Sequence, residues 1–151
     1  MVENIKIRKL IHKQIIIDTS VLIKLIFEEE DSDLVRKIML LNERMELSLL
    51  ATPLIFFEFL NALSKTLKNQ KLVEEGLKKF FNFKIGVIDA KYGYLQQAIA
   101  TTCNNEKVSY YDASYHALAK DIKGIFLTAD KKYYEIMKSE GNILLLSRLA
   151  Q

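Results

Sequence analysis

The sequence predicts an α/β domain with a central, mainly parallel sheet of about five strands flanked by helices. Three observations carry this expectation. Short apolar runs of strand character alternate with helical segments along the chain. The first run, Gln14 to Ile17, is β-branched, as suits a buried strand. One Pro, five Gly and no Ser- or Gly-rich tract leave no linker, low-complexity segment or repeat, so residues 1–151 read as one domain.

Taken in order, Gln14 to Ile17 forms the first strand and Thr19 to Phe27 a helix. Asp31-Ser32-Asp33 opens a second helix, whose apolar face of Leu34, Val35, Ile38, Met39, Leu40 and Leu41 runs through Arg44. Glu46 to Ala51 is the second strand. Thr52 then fits an N-cap and Pro53 the first helical position, which places Glu58 in the second turn of a helix reaching about Lys68. Leu72 to Phe81 continues helically and Lys84 to Asp89 is the third strand. Ala90 to Cys103 forms a helix, and another begins at or near Asp112 and runs to Lys120. Gly124 ends that helix before a fourth strand, Ile125 to Thr128. Tyr133 to Ser139 is a short helix, and Gly141 precedes the last strand, Asn142 to Leu146.

Composition narrows the possibilities. Half the residues are hydrophobic and 27% are charged, which excludes a disordered chain. The basic start leads into no signal-peptide pattern, and the longest mostly apolar stretch, Leu47 to Phe57, falls short of the roughly 20 residues that span a bilayer. A cytoplasmic protein without membrane contact is expected. Cys103 is the only cysteine, so neither an intramolecular disulfide nor a Cys-based zinc site can form within one chain. A net charge of +3 is too mild to indicate nucleic acid by itself.

Acidic residues in particular places say more. Glu58 interrupts the most apolar stretch of the chain, Pro53 to Leu63, where helical spacing sets it among Leu54, Ile55, Phe57 and Leu63. An unpaired buried carboxylate protonates, pairs or binds a metal, and no Lys lies in the preceding turns. Asp18 closes the first strand, Asp130 follows the fourth, and Asp112 opens a helix. Taken singly, Asp18 and Asp130 are explained as helix caps and Asp112 as a first-turn acid favoured by the helix dipole. Ligands of parallel α/β sheets, however, sit beyond the C-terminal strand ends, where Asp18 and Asp130 both lie. If the four meet, they form a site for a hard cation.

Four segments, Ile16-Ile17-Asp18-Thr19-Ser20, Glu58-Phe59-Leu60-Asn61-Ala62-Leu63, Tyr111-Asp112-Ala113-Ser114-Tyr115 and Leu127-Thr128-Ala129-Asp130, resemble in order and spacing the motifs of PIN-domain ribonucleases, especially small VapC-type toxins. The resemblance implies a PIN-like three-layer sandwich. It also implies an acidic catalytic and metal site at Asp18, Glu58, Asp112 and Asp130, with supporting hydroxyls at Ser20 and Thr128. It further implies an RNA substrate, a homodimer and a cognate antitoxin, although no partner-binding segment is evident in the sequence.

The chemistry of the residues agrees. Carboxylate-only sites suit Mg²⁺ or Mn²⁺, which retain waters able to attack a phosphodiester. The expected activity is divalent-metal-dependent endoribonuclease action by the toxin of a type II toxin–antitoxin pair. The alternatives are a housekeeping PIN nuclease of RNA processing or decay, and a noncatalytic RNA-binding or protein-interaction domain. A binder gains nothing from four anions beside a phosphate backbone.

Other residues have plainer readings. His116 is a packed or solvated imidazole, Glu28 to Asp31 a solvated helix end, and Cys103 a small buried hydrophobe. Tyr110, Tyr111, Tyr115, Tyr133 and Tyr134 serve either base stacking or packing. Lys24, Lys65, Lys131 and Lys132 are candidate phosphate contacts.

Overall fold

In the computed structural model, which describes residues 5–150, five strands form one all-parallel sheet. They are β1 (Gln14–Ile17), β2 (Ser48–Ala51), β3 (Gly86–Val87), β4 (Ile125–Thr128) and β5 (Ile143–Leu145), in the order β3-β2-β1-β4-β5. The helices are α1 (Ile5–Arg8), α2 (Thr19–Leu22), α3 (Ser32–Glu43), α4 (Leu54–Leu67), α5 (Gln70–Asn82), α6 (Tyr92–Asn104), α7 (Tyr110–Asp121) and α8 (Lys131–Met137). β1 takes the centre because Ile15, Ile16 and Ile17 are all fully buried, as a parallel strand covered on both faces requires. It pairs with β2 through Ile16↔Leu50 and with β4 through Ile17↔Leu127. The chain builds outward from β1 to β3 and then crosses to β4 and β5. The order therefore reverses between β1 and β4, and the crevice beyond their C-terminal ends is the expected ligand position.

Close approach fixes that pair of strands. A Cβ on Gly124 would sit 2.6 Å from the Gln14 carbonyl oxygen, so only glycine lets the start of β4 lie against the start of β1. On the other side of β1, Asn42 at the end of α3 accepts the Leu49 amide at 2.9 Å and donates to the carbonyls of Phe83 and Lys84. One buried amide thus ties together α3, β2 and the approach to β3.

Several elements differ from the sequence expectation. The helix after β1 stops at Leu22 and tightens into a 3-10 turn, Ile23–Leu25, because Ser32 Oγ takes the Lys24 carbonyl as its acceptor at 2.8 Å. Thr52 is not a side-chain cap: its carbonyl accepts the Ile55 amide at 3.1 Å, while its buried Oγ1 finds no hydrogen-bond partner among the described residues. The third strand shrinks to two residues at the sheet edge. α8 starts two residues early because Asp130 caps it.

Burial also corrects three readings. The apolar stretch of α4 buries only the stripe Ile55, Phe59 and Leu63, leaving Phe57 74% exposed. Glu58 is therefore half-buried at the edge of the packed stripe rather than enclosed by apolar groups. Leu40 is exposed on α3. Cys103 is exposed because it lies about half a turn from the face of α6 that buries Tyr94 and Ala98. His116 is packed as expected, with Nε2 2.7 Å from the Gly141 carbonyl and Nδ1 3.1 Å from the Tyr133 hydroxyl.

Candidate active site

The crevice between the ends of β1 and β4 is held by two hydroxyls. Thr128 Oγ1 donates to Asp18 Oδ2 at 2.6 Å and accepts the Asp130 amide at 3.1 Å. Ser20 Oγ donates to Asp18 Oδ1 and accepts the Ala129 amide at 2.9 Å. Each hydroxyl uses donor and acceptor at once, so the end of one strand is stapled to the end of the other. The supporting positions read from sequence therefore contact Asp18 directly.

Asp18 is 6% exposed, and its Oδ1 also accepts the Val21 amide at 3.3 Å as the cap of α2. Burial pushes its pKa up to about 6, against the hydrogen bonds from Ser20 and Thr128, and the nearby Asp112 charge adds to the rise. Asp130 Oδ1 caps α8 by accepting the Tyr133 amide at 2.9 Å. Asp112 lies in the first turn of α7, where Ser109 Oγ donates to its Oδ2 at 2.6 Å and accepts its amide at 3.1 Å. Burial raises the Asp112 carboxyl, and the charge of Asp130 adds to it.

Glu58 enters from α4. Its Oε2 accepts the Tyr115 hydroxyl at 2.7 Å and the Thr19 hydroxyl at a long 3.5 Å. Burial again raises its pKa, with Asp112 as the repelling charge. Tyr115 is raised as well, first by burial and then by the Glu58 charge.

All four predicted acids line one open cleft of about 230 Å³, together with Thr19, Ser20 and Asn61. The capping reading of Asp18 and Asp130 is correct, and it leaves the site reading open to both, because a cap bond occupies only one of the roughly four lone-pair sites of a carboxylate. The ion pairs seen among the described residues, such as Lys24 with Glu29 and Lys120 with Glu140, involve none of the four acids. Mutually repelling carboxylates without a protein cation are a donor set that fits a hard divalent ion. No three His, Cys, Asp or Glu groups among the described residues converge tightly enough to enclose one ion alone. Mg²⁺ needs no such enclosure, since it takes one or two carboxylates and keeps several waters.

Sequence reasoning missed Thr19, Asn61, Ser109 and the Tyr115 hydroxyl as parts of this constellation. The available signal was helical spacing: Asn61 lies three residues after Glu58, and Tyr115 three after Asp112. Tyr115, Tyr133 and Tyr134 are buried, so base stacking is left to exposed Tyr111 and half-buried Tyr110. Lys24 is engaged with Glu29 and the Glu30 carbonyl, whereas Lys65, Lys131 and Lys132 are exposed.

A parallel α/β sheet with four carboxylates lining a cleft at its switch point defines the class of domain. The chain belongs to the PIN domain family, a family of nucleases, with residues 15–138 matching the family model. Solved structures agree on the fold. VapBC2 of Rickettsia felis, bound to a DNA fragment from its promoter, superposes with a TM-score of 0.66 at 14% identity, over 87% of this chain and 96% of that one. DNA-bound VapBC of Salmonella typhimurium gives 0.65 at 18% identity, over 89% and 98%. VapC20 of Mycobacterium tuberculosis, described as a sarcin-ricin loop cleaving toxin, gives 0.61 at 12% identity, over 81% and 94%. No curated protein matches the chain by sequence. Among the described residues, no helix is long and apolar enough to cross a membrane.

Proposed function

We propose that the chain is a divalent-metal-dependent endoribonuclease hydrolysing RNA phosphodiester bonds, and that it is the toxin of a type II toxin–antitoxin pair. The observation that carries the nuclease reading is the placement of Asp18, Glu58, Asp112 and Asp130 around one cleft, with none of the ion pairs among the described residues involving them. The VapC-like fold, matched over nearly the whole of each neighbour, supports the toxin reading. A single domain, a homodimer, a cognate antitoxin and a cytoplasmic place of action go with it.

Asp18 and Asp130 would hold the principal Mg²⁺ or Mn²⁺, because the Ser20–Thr128 staple fixes both acids at adjacent strand ends. Glu58 and Asp112 complete the site or orient the attacking water. When bound, such an ion would supply a water of lowered pKa and neutralise charge on the scissile phosphate. Ser20 and Thr128 keep the Asp18 carboxylate in one orientation by donating to both of its oxygens. No side-chain nucleophile is required.

The test is cleavage of labelled RNAs by purified, inhibitor-free chain in Mg²⁺, Mn²⁺ or EDTA, beside Asp18→Asn and Asp112→Asn variants. Cleavage that stops in EDTA and in both variants is expected; Asp18→Asn cutting at the wild-type rate refutes the site. Expression should arrest growth, and co-expression of the neighbouring gene should relieve the arrest if the toxin reading holds.

A further inference from the structure

The Tyr115 hydroxyl is the one polar group of a side chain otherwise committed to packing. Its ring is fully buried and stacks on Phe126, with centroids 6.0 Å apart and planes 9° apart. Phenylalanine would fill that space equally well. The oxygen instead reaches Glu58 Oε2 at 2.7 Å. Both hydrogen bonds seen on Glu58 go to Oε2, so among the described residues none goes to Oε1.

We propose that Tyr115 is a positioning residue, donating to Glu58 Oε2 so that Oε1 is left for the divalent ion or its waters. The stacked ring gives the hydroxyl one place to be. α7 therefore delivers two things on one face: Asp112 to the cleft, and three residues later the group that sets the carboxylate arriving from α4. Partners of this kind, acting on a ligand rather than on the ion, typically change metal affinity or activity by about 10–100-fold when removed.

The proposal rests on the metal-nuclease reading, and the test separates the two. Mn²⁺ is titrated by electron paramagnetic resonance into wild type, Tyr115→Phe, Glu58→Gln and the double variant, with RNA cleavage kinetics and EDTA melting curves alongside. Tyr115→Phe is expected to melt close to wild type, to bind Mn²⁺ roughly tenfold or more weakly, and to lose kcat with little change in KM. In the Glu58→Gln background the same substitution should add nothing, because Tyr115 acts through Glu58. Mn²⁺ affinity unchanged in Tyr115→Phe overturns the proposal. So does an equal loss in the Glu58→Gln background, or a variant too unstable to assay, since either makes the hydroxyl structural. Wild type that neither binds Mn²⁺ nor cuts RNA sinks the nuclease reading itself, and the positioning role with it.

Discussion

Asp18 is held by three donors and yet has a raised pKa, so its burial outweighs its hydrogen bonds. An acid whose folded pKa lies above its unfolded value binds its proton more tightly when folded. Its stabilising effect is complete at low pH and is lost as pH rises from about 4 through 6. The metal-free protein should therefore lose about 2 kcal/mol from this residue between pH 4 and 7. Asp18→Asn should flatten that slope and raise the melting temperature at pH 7 without metal, while abolishing cleavage; urea titrations at both pH values check it. Thr128→Val removes the donor to Asp18 and the acceptor of the Asp130 amide together. It should cost about 1–3 kcal/mol and most of the activity, read by denaturation and RNA cleavage side by side. The identities of these residues were legible in the sequence; the hydroxyl of Tyr115 was not, because tyrosines near a cleft read equally as packing or stacking until burial is known.

At the scale of elements, the site depends on how closely β1 and β4 approach. Gly124→Ala places a methyl group against the Gln14 carbonyl, a backbone atom that cannot rotate away. About 1–3 kcal/mol of destabilisation is expected, and the spreading of the strands should lower activity even where the protein stays folded. Wild-type stability and turnover in this variant would show that the approach is not needed. Strands and helices were legible where burial makes them obvious, as in the Ile15-Ile16-Ile17 run. Their ends were less so, because they are set by tertiary hydrogen bonds such as Ser32 to the Lys24 carbonyl. The burial of Glu58 was overread for a related reason. A run of apolar residues in α4 does not say which stripe finds a partner, and Phe57 stays exposed.

For the molecule as a whole, strand order turns four acids distant in sequence into one cleft. Alternating strands and helices predict a parallel sheet, but not the order β3-β2-β1-β4-β5, which depends on which strands pair. Folding thus stores mutual repulsion among carboxylates that a bound cation would relieve. A ligand that binds only the folded state at 100 times its Kd adds about 2.7 kcal/mol, or roughly 5–10 °C in melting temperature for a chain of this size. Mg²⁺ should produce such a rise at pH 7 and a smaller one at pH 5, where Asp18 is largely protonated; melting curves with and without EDTA report it.

The central claim is that these four carboxylates form a divalent-cation site, and the most direct measurement is a Mn²⁺ binding isotherm on purified wild type beside Asp18→Asn. The account predicts saturable binding to wild type that is lost or greatly weakened in the variant. Equal binding by both proteins, or no binding by folded wild type, would contradict it.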